Sequence, residues 1–346
     1  MQNIKLDFEL LNLETADPFG ISYGTSSETK NILVKLTHED YYGLGEIAPV
    51  NYHGEDFYTA LAVLEHFKSI QILGDNPLAI SKIMDKMDNI ISNHNSVKAG
   101  IEMALHDICG KILNKPTRSI LGLSDRTCPI TDFTIGLDTL EVIERKTHAA
   151  IKAGYKILKV KQGTSYDKDI IKRVRSVTKE LPLRVDANGG WTVKEAIYMA
   201  NFLSEHNVQF IEQPLPKNSS YENFKTVHEQ SPLPIFADES ICRASDVAKL
   251  GHVLDGVVVK LAKTGGILEA LKVIHTARAF NLEIMIGCMI ESSIGVTAAA
   301  QLASLVDYLD LDGALLLAND PYNGVEFINS HPSFKNLPGL GVLKKI

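Results

Sequence analysis

The first part of the chain alternates apolar and polar residues with a period of two. The apolar positions are Ile4, Leu6, Phe8, Leu10, Ile32, Val34 and Leu36. Such alternation is typical of strands with one buried face, and it predicts two antiparallel strands joined near residues 20–30. Over residues 58–113 the apolar positions instead recur at helical spacing. Residues 1–115 are therefore predicted to form an α+β unit, with strands first and helices after.

After residue 127, short apolar segments alternate with amphipathic stretches of helical length. The apolar segments lie at residues 131–135, 157–160, 183–185, 209–211, 235–237, 256–259, 283–286 and 307–309. Their regular spacing, by one strand and one helix, favours a closed (β/α) barrel over an open doubly wound sheet. We assign residues 116–312 to this barrel. The Pro- and Gly-containing residues 313–346 are expected to pack back on the N-terminal unit.

The composition excludes several classes of protein. Of 346 residues, 45% are hydrophobic and 22% are charged, so the chain is neither disordered nor fibrous. The net charge of −7, from 35 basic and 42 acidic residues, argues against nucleic-acid binding. No apolar run of about 18 residues is present, so no membrane segment is expected. The four cysteines are far apart and form no Cys-x-x-Cys motif, which predicts a cytoplasmic protein without disulfides.

Three carboxylates stand where predicted barrel strands end. Asp186, Glu212 and Asp238 follow one another at intervals of 26 residues, which is the length of one strand–helix unit. They therefore occupy equivalent ends of adjacent strands, where active sites of such barrels lie. Three adjacent carboxylates repel one another unless a cation lies between them. Oxygen ligands alone favour Mg²⁺ first and Mn²⁺ second, whereas any one of these carboxylates alone would more simply cap a helix or pair with a lysine.

Three lysines complete the predicted site. Lys159 and Lys161 alternate by two, so their side chains leave the same face of the second strand. Two such ammonium groups depress each other's pKa, and burial adds to this effect, which prepares a lysine to act as a base. Lys260 ends the sixth strand, which lies opposite the second in a barrel of this kind. Lysines on the second and sixth strands could then exchange protons with opposite faces of one carbon. Lys159 and Lys161 alone would also fit a solvated strand edge.

These groups suit the removal of a proton from the carbon next to a carboxylate. Such a proton is weakly acidic, and its removal leaves the negative charge of an enediolate on the carboxylate oxygens. A divalent cation on that carboxylate stabilises the charge, and Lys159 can add a hydrogen bond. A lysine base working with Mg²⁺ is a known combination for this task.

The strand-end motifs resemble those of the enolase superfamily, in particular its muconate-lactonizing-enzyme-like subgroup. They are KVK at residues 159–161, RVDANGGW at 184–191, IEQPL at 211–215, ADES at 237–240 and VKLAKTGG at 259–266. The motif GLGEIAP at residues 43–49 resembles a strand of that family's capping domain. The resemblance thus spans nearly the whole chain. It implies a modified TIM barrel, (β/α)7β, with an α+β capping domain to which both termini contribute.

The resemblance also implies roles for individual residues. Lys161 and Lys260 would be the two acid/base groups, and Lys159 would orient or neutralise the substrate carboxylate. The three carboxylates at the strand ends would hold Mg²⁺. Asn188 and Thr134 would be contacts to the substrate or to the groups that bind it.

Within the subgroup, the chain is most similar to dipeptide epimerases. In that family an Asp-x-Asp at the eighth strand binds the ammonium of the dipeptide's N-terminal residue, and the pair here is Asp310 and Asp312. Two carboxylates on one face of a strand form a cation site, although an acidic turn would look the same. Cys288 and Met289, in the motif GCMIES, are expected to line the substrate site, with Cys288 as a wall residue rather than a nucleophile. The resemblance implies an Mg²⁺-dependent enzyme that inverts the C-terminal Cα of Ala-Glu or another Ala-Xaa dipeptide.

The dipeptide side chain is expected to meet two loops of the cap. Epimerases that act on Ala-Glu often carry a basic residue in the first loop, residues 18–29 here. This loop contains neither Lys nor Arg; Gly24 lies in its middle and Lys30 at its edge. His53 and Glu55 in the second loop are candidate polar contacts. An acidic side chain on the second residue of the dipeptide therefore stays open, and so do small, hydrophobic and cationic ones.

The same scaffold also supports other functions. A lyase such as o-succinylbenzoate synthase would share the lysines and metal ligands but leave Asp310 and Asp312 unexplained. An N-acylamino acid racemase, whose substrate amine is blocked, would not need the acidic pair either. A barrel that had lost catalysis would lack a ligand or a base, and all are present. The expected partner is a small-molecule dipeptide, with no nucleic acid and no membrane, and the chain is expected to form a homo-oligomer.

Overall fold

The N-terminal residues form an antiparallel sheet. The computed structural model describes residues 3–124 and 126–346. In the first of these ranges, β1 (Lys5–Ile21) and β2 (Gly24–His38) form one long hairpin, and β3 (Tyr41–Ile47) pairs with the other edge of β2. The sheet supplies one side of the capping unit.

The hairpin corrects the loop predicted at residues 20–30. The two strands stay paired up to Ile21 and Gly24, with one irregularity between Glu14 and Phe19. Residues 24–30 of β2, which follow the hairpin turn, are rich in Ser and Thr, and most of them are exposed. It therefore lacks the apolar alternation that identifies a half-buried strand, because the tip of the hairpin lies outside the core of the cap.

Helices pack on this sheet within the described part of the cap. They are α1 (Phe57–Ser69), α2 (Ile80–Ile90) and α3 (Asn95–Ile112). β3 approaches α3 so closely that a Cβ built on Gly45 would collide with the carbonyl group of Gly100. Glycine at this position therefore permits the contact. Nearly every side chain of α3 is buried. This helix is therefore the centre of the cap, and its far side is available to contact the barrel.

Beyond α4 (Thr117–Ile120), the described residues form a parallel sheet of eight strands. They are β4 (Phe133–Ile135), β5 (Leu158–Lys161), β6 (Leu183–Asp186), β7 (Val208–Glu212), β8 (Ile235–Ala237), β9 (Gly256–Lys260), β10 (Glu283–Gly287) and β11 (Tyr308–Asp310). Each strand pairs with the next one in sequence. A parallel bridge between Thr131 and Leu309 brings the first and last strands together. The predicted barrel is therefore confirmed.

Helices connect these strands on the outside of the barrel. They are α5 (Leu140–Lys152), α6 (Asp167–Val177), α7 (Val193–Ser204), α8 (Tyr221–Gln230), α9 (Ala244–Leu250), α10 (Leu261–Thr264), α11 (Ile267–Ala279) and α12 (Ser293–Ala300). β11 leads instead into a 3₁₀ turn at Gly313–Leu316. This is the expected (β/α)7β order. None of the described helices is long and apolar enough to cross a membrane.

The C-terminal residues run back over both units. They contain the short strands β12 (Tyr322–Asn323), β13 (Glu326–Ile328), β14 (His331–Ser333) and β15 (Leu343–Lys344). The Ala318 amide donates a hydrogen bond to the Glu14 carbonyl of β1 at 2.8 Å. The Leu340 amide donates to the Asp107 carboxylate of α3, also at 2.8 Å. These bonds attach the segment to the cap.

An apolar layer fills the barrel interior below the strand ends. Phe210, Phe236, Val258 and Met285 form it, and the first two rings stack with 4.1 Å between their centroids. Phe210, Phe236 and Val258 each stand two positions before one of the predicted site residues. Because side chains two apart on a strand share a face, those site residues also point into the barrel, directly above this layer.

Candidate active site

The strand register places the predicted site residues at one level of the barrel. Lys161 pairs with Asp186 on the next strand, and Asp186 pairs with Glu212 on the one after. Lys260 and Asp310 share a level through β10 between them. β5 and β9 are four strands apart in the eight-stranded barrel. Lys161 and Lys260 therefore approach the site from opposite sides.

Lys159 is buried among three carboxylates. Its Nζ lies 2.7 Å from Glu212 Oε2, 2.7 Å from Asp310 Oδ2 and 3.1 Å from Asp186 Oδ2. The expected depression of its pKa is wrong. Burial does act to lower the pKa of Lys159, but the three carboxylates outweigh burial and hold the pKa well above its usual value. These carboxylates therefore stabilise the charged form of the Lys159 side chain.

Lys161 and Lys260 each bind one of the predicted metal ligands. Lys161 Nζ lies 2.6 Å from Asp186 Oδ2, and Lys260 Nζ lies 2.7 Å from Asp238 Oδ2. Lys263, to which the sequence pattern assigned no role, binds the other oxygen of Asp238 at 2.5 Å. Burial acts to raise the pKa of Asp238, but these two ammonium groups hold it well below its usual range. Asp238 is therefore ionised.

Glu212, which lies between Asp186 and Asp238, keeps one carboxylate oxygen without a hydrogen-bond partner. Glu212 Oε1 is fully buried and accepts no hydrogen bond. Burial and the negative charge of Asp186 raise the pKa of Glu212 well above its usual value. A buried carboxylate oxygen without a donor costs free energy, and a cation would remove that cost. The donor set of carboxylate oxygens fits a hard divalent ion.

Each of the three predicted ligands is turned toward a lysine ammonium. Among the described residues, no group of three or more His, Cys, Asp or Glu side chains is arranged to hold a metal ion. The lysines thus supply the positive charge that the buried carboxylates require.

A cavity of about 900 Å³ lies between the strand ends and the hairpin of the cap. Predicted site residues line it on all sides: Gly24, Thr134, Lys161, Asn188, Lys260, Cys288, Met289, Asp310 and Asp312. Lys159 and the three predicted metal ligands are buried among the strand ends. The structure therefore brings together the predicted lysines, metal ligands and acidic pair with Thr134, Asn188, Cys288, Met289 and Gly24. A concave space with convergent charged groups is the expected form of an active site.

Asp310 and Asp312 are held differently, although both line the cavity. Asp310 pairs with Lys159, whereas Asp312 Oδ2 accepts a hydrogen bond from the Thr134 amide at 2.6 Å. Asp312 forms no ion pair with a described residue. Burial and the negative charge of Asp310 raise the pKa of Asp312 to about 6. A buried carboxylate that lies beside another negative charge and has no ion-pair partner is stabilised by a cationic ligand.

Asn188 and Cys288 order the groups around them. The Asn188 side-chain amide donates to Glu239 Oε1 at 3.1 Å, and its backbone amide donates to Asp186 Oδ1 at 2.8 Å. Burial and neighbouring carboxylates raise the pKa of Glu239 to about 7. The Cys288 thiol accepts a hydrogen bond from the Gly313 amide at 3.3 Å, and burial raises its pKa well above the usual value. These properties suit a wall residue.

The cap contributes an aromatic wall and a lysine. Tyr23, in the turn of the hairpin, stacks on Tyr52 with 4.7 Å between ring centroids. The Tyr52 hydroxyl lies 3.4 Å from Met289 Sδ. Lys30 of β2 lines the same cavity and pairs with none of the described carboxylates. Neither tyrosine was predicted, because both stand outside the strand-end motifs.

His53 and Glu55 were expected near the substrate, and that expectation is wrong. Neither side chain lines the cavity. Glu55 instead accepts a hydrogen bond from the Ser96 amide at the start of α3, at 3.1 Å. His53 Nδ1 lies 3.8 Å from Cys242 Sγ on the barrel. The two residues therefore hold the second cap loop in place.

Two protein-family models match most of the chain. Residues 8–122 match the mandelate racemase / muconate lactonizing enzyme N-terminal domain, and residues 142–343 match the enolase C-terminal domain-like model. The chain belongs to the enolase superfamily. Within this superfamily, the proteins to which the chain is similar include named dipeptide epimerases. The family assignment agrees with the fold, since the barrel and the cap are its two defining units.

Named members of the enolase superfamily resemble this chain over nearly its whole length. L-Ala-D/L-Glu epimerase from Bacteroides thetaiotaomicron is 38% identical over 344 residues, which are 99% of this chain and 88% of that protein. A hydrophobic dipeptide epimerase from Flavobacteria bacterium is 36% identical over 99% of both chains. The crystal structure of a dipeptide epimerase from Cytophaga hutchinsonii, complexed with Mg and D-Ala-L-Val, has a TM-score of 0.94 at 29% identity, covering 99% of this chain and 96% of that one. The chain described in this structure is therefore an isomerase of the racemase or epimerase type.

Proposed function

We propose that this enzyme is a dipeptide epimerase that inverts the Cα of the dipeptide's C-terminal residue. The observation that carries the proposal is the placement of Lys161 and Lys260. Both line one cavity, and their strands stand four apart in the eight-stranded barrel. A carbon held between them would lose its proton to one lysine and gain a proton from the other. Transfer across opposite faces inverts the configuration of that carbon.

The two lysines must begin each turnover in opposite protonation states. A neutral Nζ on one side takes the α-proton and becomes an ammonium, which leaves an enediolate. The ammonium on the other side then donates its proton to the opposite face of the same carbon. Lys161 and Lys260 exchange these roles when the other epimer is the substrate. Lys159 takes no part in the transfer and contributes its fixed charge beside the substrate carboxylate.

Asp186, Glu212 and Asp238 would hold Mg²⁺, because they offer only carboxylate oxygens and one of these is buried without a partner. Bound Mg²⁺ supplies positive charge that makes the α-proton of a carboxylate substrate more acidic. Two of these carboxylates, Asp186 and Asp238, also pair with Lys161 and Lys260. The residues that would hold the ion and the two amines therefore lie within hydrogen-bond distance of each other.

The acidic pair would bind the ammonium of the dipeptide's first residue. Asp312 lines the cavity without an ion-pair partner among the described residues, and Asp310 stands beside it. Such a site would be of no use to an N-acylamino acid racemase or to a lyase whose substrate carries no amine. This feature therefore supports the dipeptide epimerase over both alternatives. The walls formed by Tyr23, Tyr52 and Lys30 support an Ala-Xaa substrate with an apolar or an acidic second residue.

Proton NMR in D₂O tests this function directly. The wild-type enzyme with Mg²⁺ is mixed with the L,L forms of Ala-Glu, Ala-Leu, Ala-Phe and Ala-Lys. We expect deuterium to enter the C-terminal Cα while the L,D form appears, and we expect Lys161→Ala to stop epimerisation without loss of fold. If no dipeptide exchanges although Mg²⁺ binds, the proposal fails. Formation of succinylbenzoate would then be the next activity to measure.

A further inference from the structure

We infer that Glu102 and Asn95, both on the cap helix α3, are positioning residues for Lys260. They fix the turn between β9 and α11, on which Lys260 and Lys263 stand. The inference rests on the proposed two-lysine function and goes beyond it, because neither Glu102 nor Asn95 lines the substrate cavity.

The turn after β9 is closed by local hydrogen bonds and lies against the cap helix α3. Lys260 ends β9, and α10 adds a single helical turn before the chain reaches Gly265 and Gly266. These glycines have φ values of 96° and 122°, in regions that other residues rarely adopt. Thr264 Oγ1 lies 3.1 Å from the Lys260 carbonyl and 3.3 Å from the carbonyls of Leu261 and Gly266, and the Gly265 and Gly266 amides donate to the Leu261 carbonyl at 3.0 and 3.1 Å. These bonds close the turn on itself, and contacts from the cap then fix its position relative to the barrel.

Glu102 supplies the first outside contact. Its side chain is fully buried, and Oε1 accepts a hydrogen bond at 2.9 Å from the Leu268 amide in the first turn of α11. A Cβ built on Gly266 would overlap the Glu102 carboxylate, so the carboxylate packs directly on the glycine backbone. His106 Nε2 lies 3.3 Å from Oε1 and holds the carboxylate from within α3. The negative charge also lies at the helix end where the backbone dipole favours it.

Asn95 supplies the second contact, from a position 168 residues away in sequence from Lys263. Its Nδ2 donates to the Lys263 carbonyl at 2.7 Å. Its Oδ1 accepts from Arg243 Nη2 at 3.3 Å, and the same guanidinium binds Asp88 of α2. The orientation of Asn95 is thereby fixed. Lys263, whose backbone is held in this way, binds Asp238, which is the ion-pair partner of the catalytic lysine on β9.

Both contacts act on one side of the active site. They hold the turn after β9, whereas Lys161 stands on β5 across the barrel. A misplacement of about 1 Å can reduce the rate of a catalysed step by about 10²-fold. Loss of either contact should therefore slow proton transfer at Lys260 and leave transfer at Lys161 nearly unchanged.

The test measures Cα exchange with D₂O separately from each epimer of one dipeptide, at initial rates with saturating Mg²⁺. Lys161→Ala and Lys260→Ala first establish which epimer depends on which lysine. We expect Glu102→Ala and Asn95→Ala to lower the Lys260-dependent exchange by about 10-fold or more and the Lys161-dependent exchange by less than about threefold. Glu102→Gln, whose amide oxygen can still accept from Leu268, should recover most of the rate.

Asp107→Asn is the matched control for a general loss of cap stability. Asp107 is buried on the same helix and accepts hydrogen bonds from the Leu44 and Leu340 amides, at 2.9 and 2.8 Å, away from the turn. It should lower thermal stability without changing the ratio of the two exchange rates. Equal losses for both epimers in Asn95→Ala and in the Glu102 variants would overturn the inference, as would an unchanged ratio. Retention of both exchanges in Lys161→Ala and Lys260→Ala would instead overturn the proposed function.

Discussion

The Lys159 ammonium lies 2.7 Å from the Asp310 carboxylate, and this bond connects two parts of the active site. Lys159 stands on β5 among the proposed metal ligands, and Asp310 stands on β11 in the acidic pair. Burial acts to raise the pKa of Asp310, but the ammonium keeps it below its usual value. The charge of the proposed metal site is therefore coupled to the charge of the proposed ammonium site through one side chain.

Removal of that charge should destabilise the protein when no metal is bound. Lys159→Met leaves the carboxylates of Asp186, Glu212 and Asp310 without their shared cation. Removing one partner of a buried ion pair typically costs about 3–5 kcal/mol. We expect the free energy of unfolding in urea to fall by about this amount in EDTA, and Mg²⁺ to restore part of it. The control, Lys161→Met, removes a cation that binds one carboxylate and should cost less. Equal stability of Lys159→Met and wild type in EDTA would contradict the charge assigned to Lys159.

Glu212→Gln should have the opposite effect on the metal-free protein. Glutamine has nearly the same shape but is neutral, so it removes the repulsion between this position and Asp186 and Asp238. Lys159 keeps two other carboxylate partners. We expect the variant to unfold in EDTA at or above the wild-type temperature, to gain little stability from Mg²⁺, and to lose epimerase activity. If Mg²⁺ raised the unfolding temperature as much as in wild type, Glu212 would not be a ligand.

The fold was predictable because its sequence pattern is local and repeated. Eight apolar segments at regular intervals were enough to predict the barrel, and the structure has a strand at each. Several strands were predicted about one residue too short. β5, β6 and β7 end at Lys161, Asp186 and Glu212, one residue beyond the apolar segments that predicted them. At the mouth of a barrel, however, the last inward side chain of a strand faces the site, and a charge there is functional.

Contacts between distant residues could not be predicted in this way. Lys263 binds Asp238, and Tyr23 stacks on Tyr52, but neither pair shows any pattern along the chain. The sign of the pKa shift of Lys159 depends on the same kind of contact. One of its partners lies 151 residues away on the last strand, so the neighbouring lysine alone suggested the wrong direction.

Asp312 should make substrate binding depend on pH. Its pKa is raised to about 6 from the usual 3.8, so the folded protein carries a proton there below about pH 6. A protonated Asp312 cannot pair with an ammonium, and the KM for the dipeptide should therefore rise as the pH falls through about 6. Asp312→Asn should remove this dependence and raise KM by about 10-fold or more at pH 8, since hydrogen bonds to charged groups contribute about 1.5–3 kcal/mol. The same rise of KM at low pH in both proteins would exclude Asp312 as the titrating group.

Without substrate, Asp312 should make the stability of the protein depend on pH in the opposite sense: its contribution to the free energy of unfolding falls as the pH rises. The folded-state pKa lies above that of the unfolded chain, so the folded protein binds more protons between about pH 4 and pH 6. The contribution of this group to stability is therefore present below about pH 4 and is lost as the pH rises through about 6. Urea unfolding of wild type and Asp312→Asn across this range should show the variant gaining relative stability at higher pH. A constant difference between the two proteins would contradict the raised pKa.

Lys30 and Tyr23 should sort dipeptides by the charge of the C-terminal side chain. Both line the cavity from the hairpin, and both are exposed, so their replacement should leave the fold intact. An exposed ion pair contributes at most about 1 kcal/mol. Lys30→Ala should therefore lower kcat/KM for Ala-Glu by up to about fivefold and leave Ala-Leu unchanged. Tyr23→Ser, which removes a ring that is 48% exposed and stacked on Tyr52, should instead lower kcat/KM for Ala-Leu and Ala-Phe and spare Ala-Glu.

Rates for each dipeptide are read from the same NMR measurement in D₂O. A variant that loses activity equally on acidic and apolar dipeptides has changed the site in general, and its residue does not contact the side chain that distinguishes them.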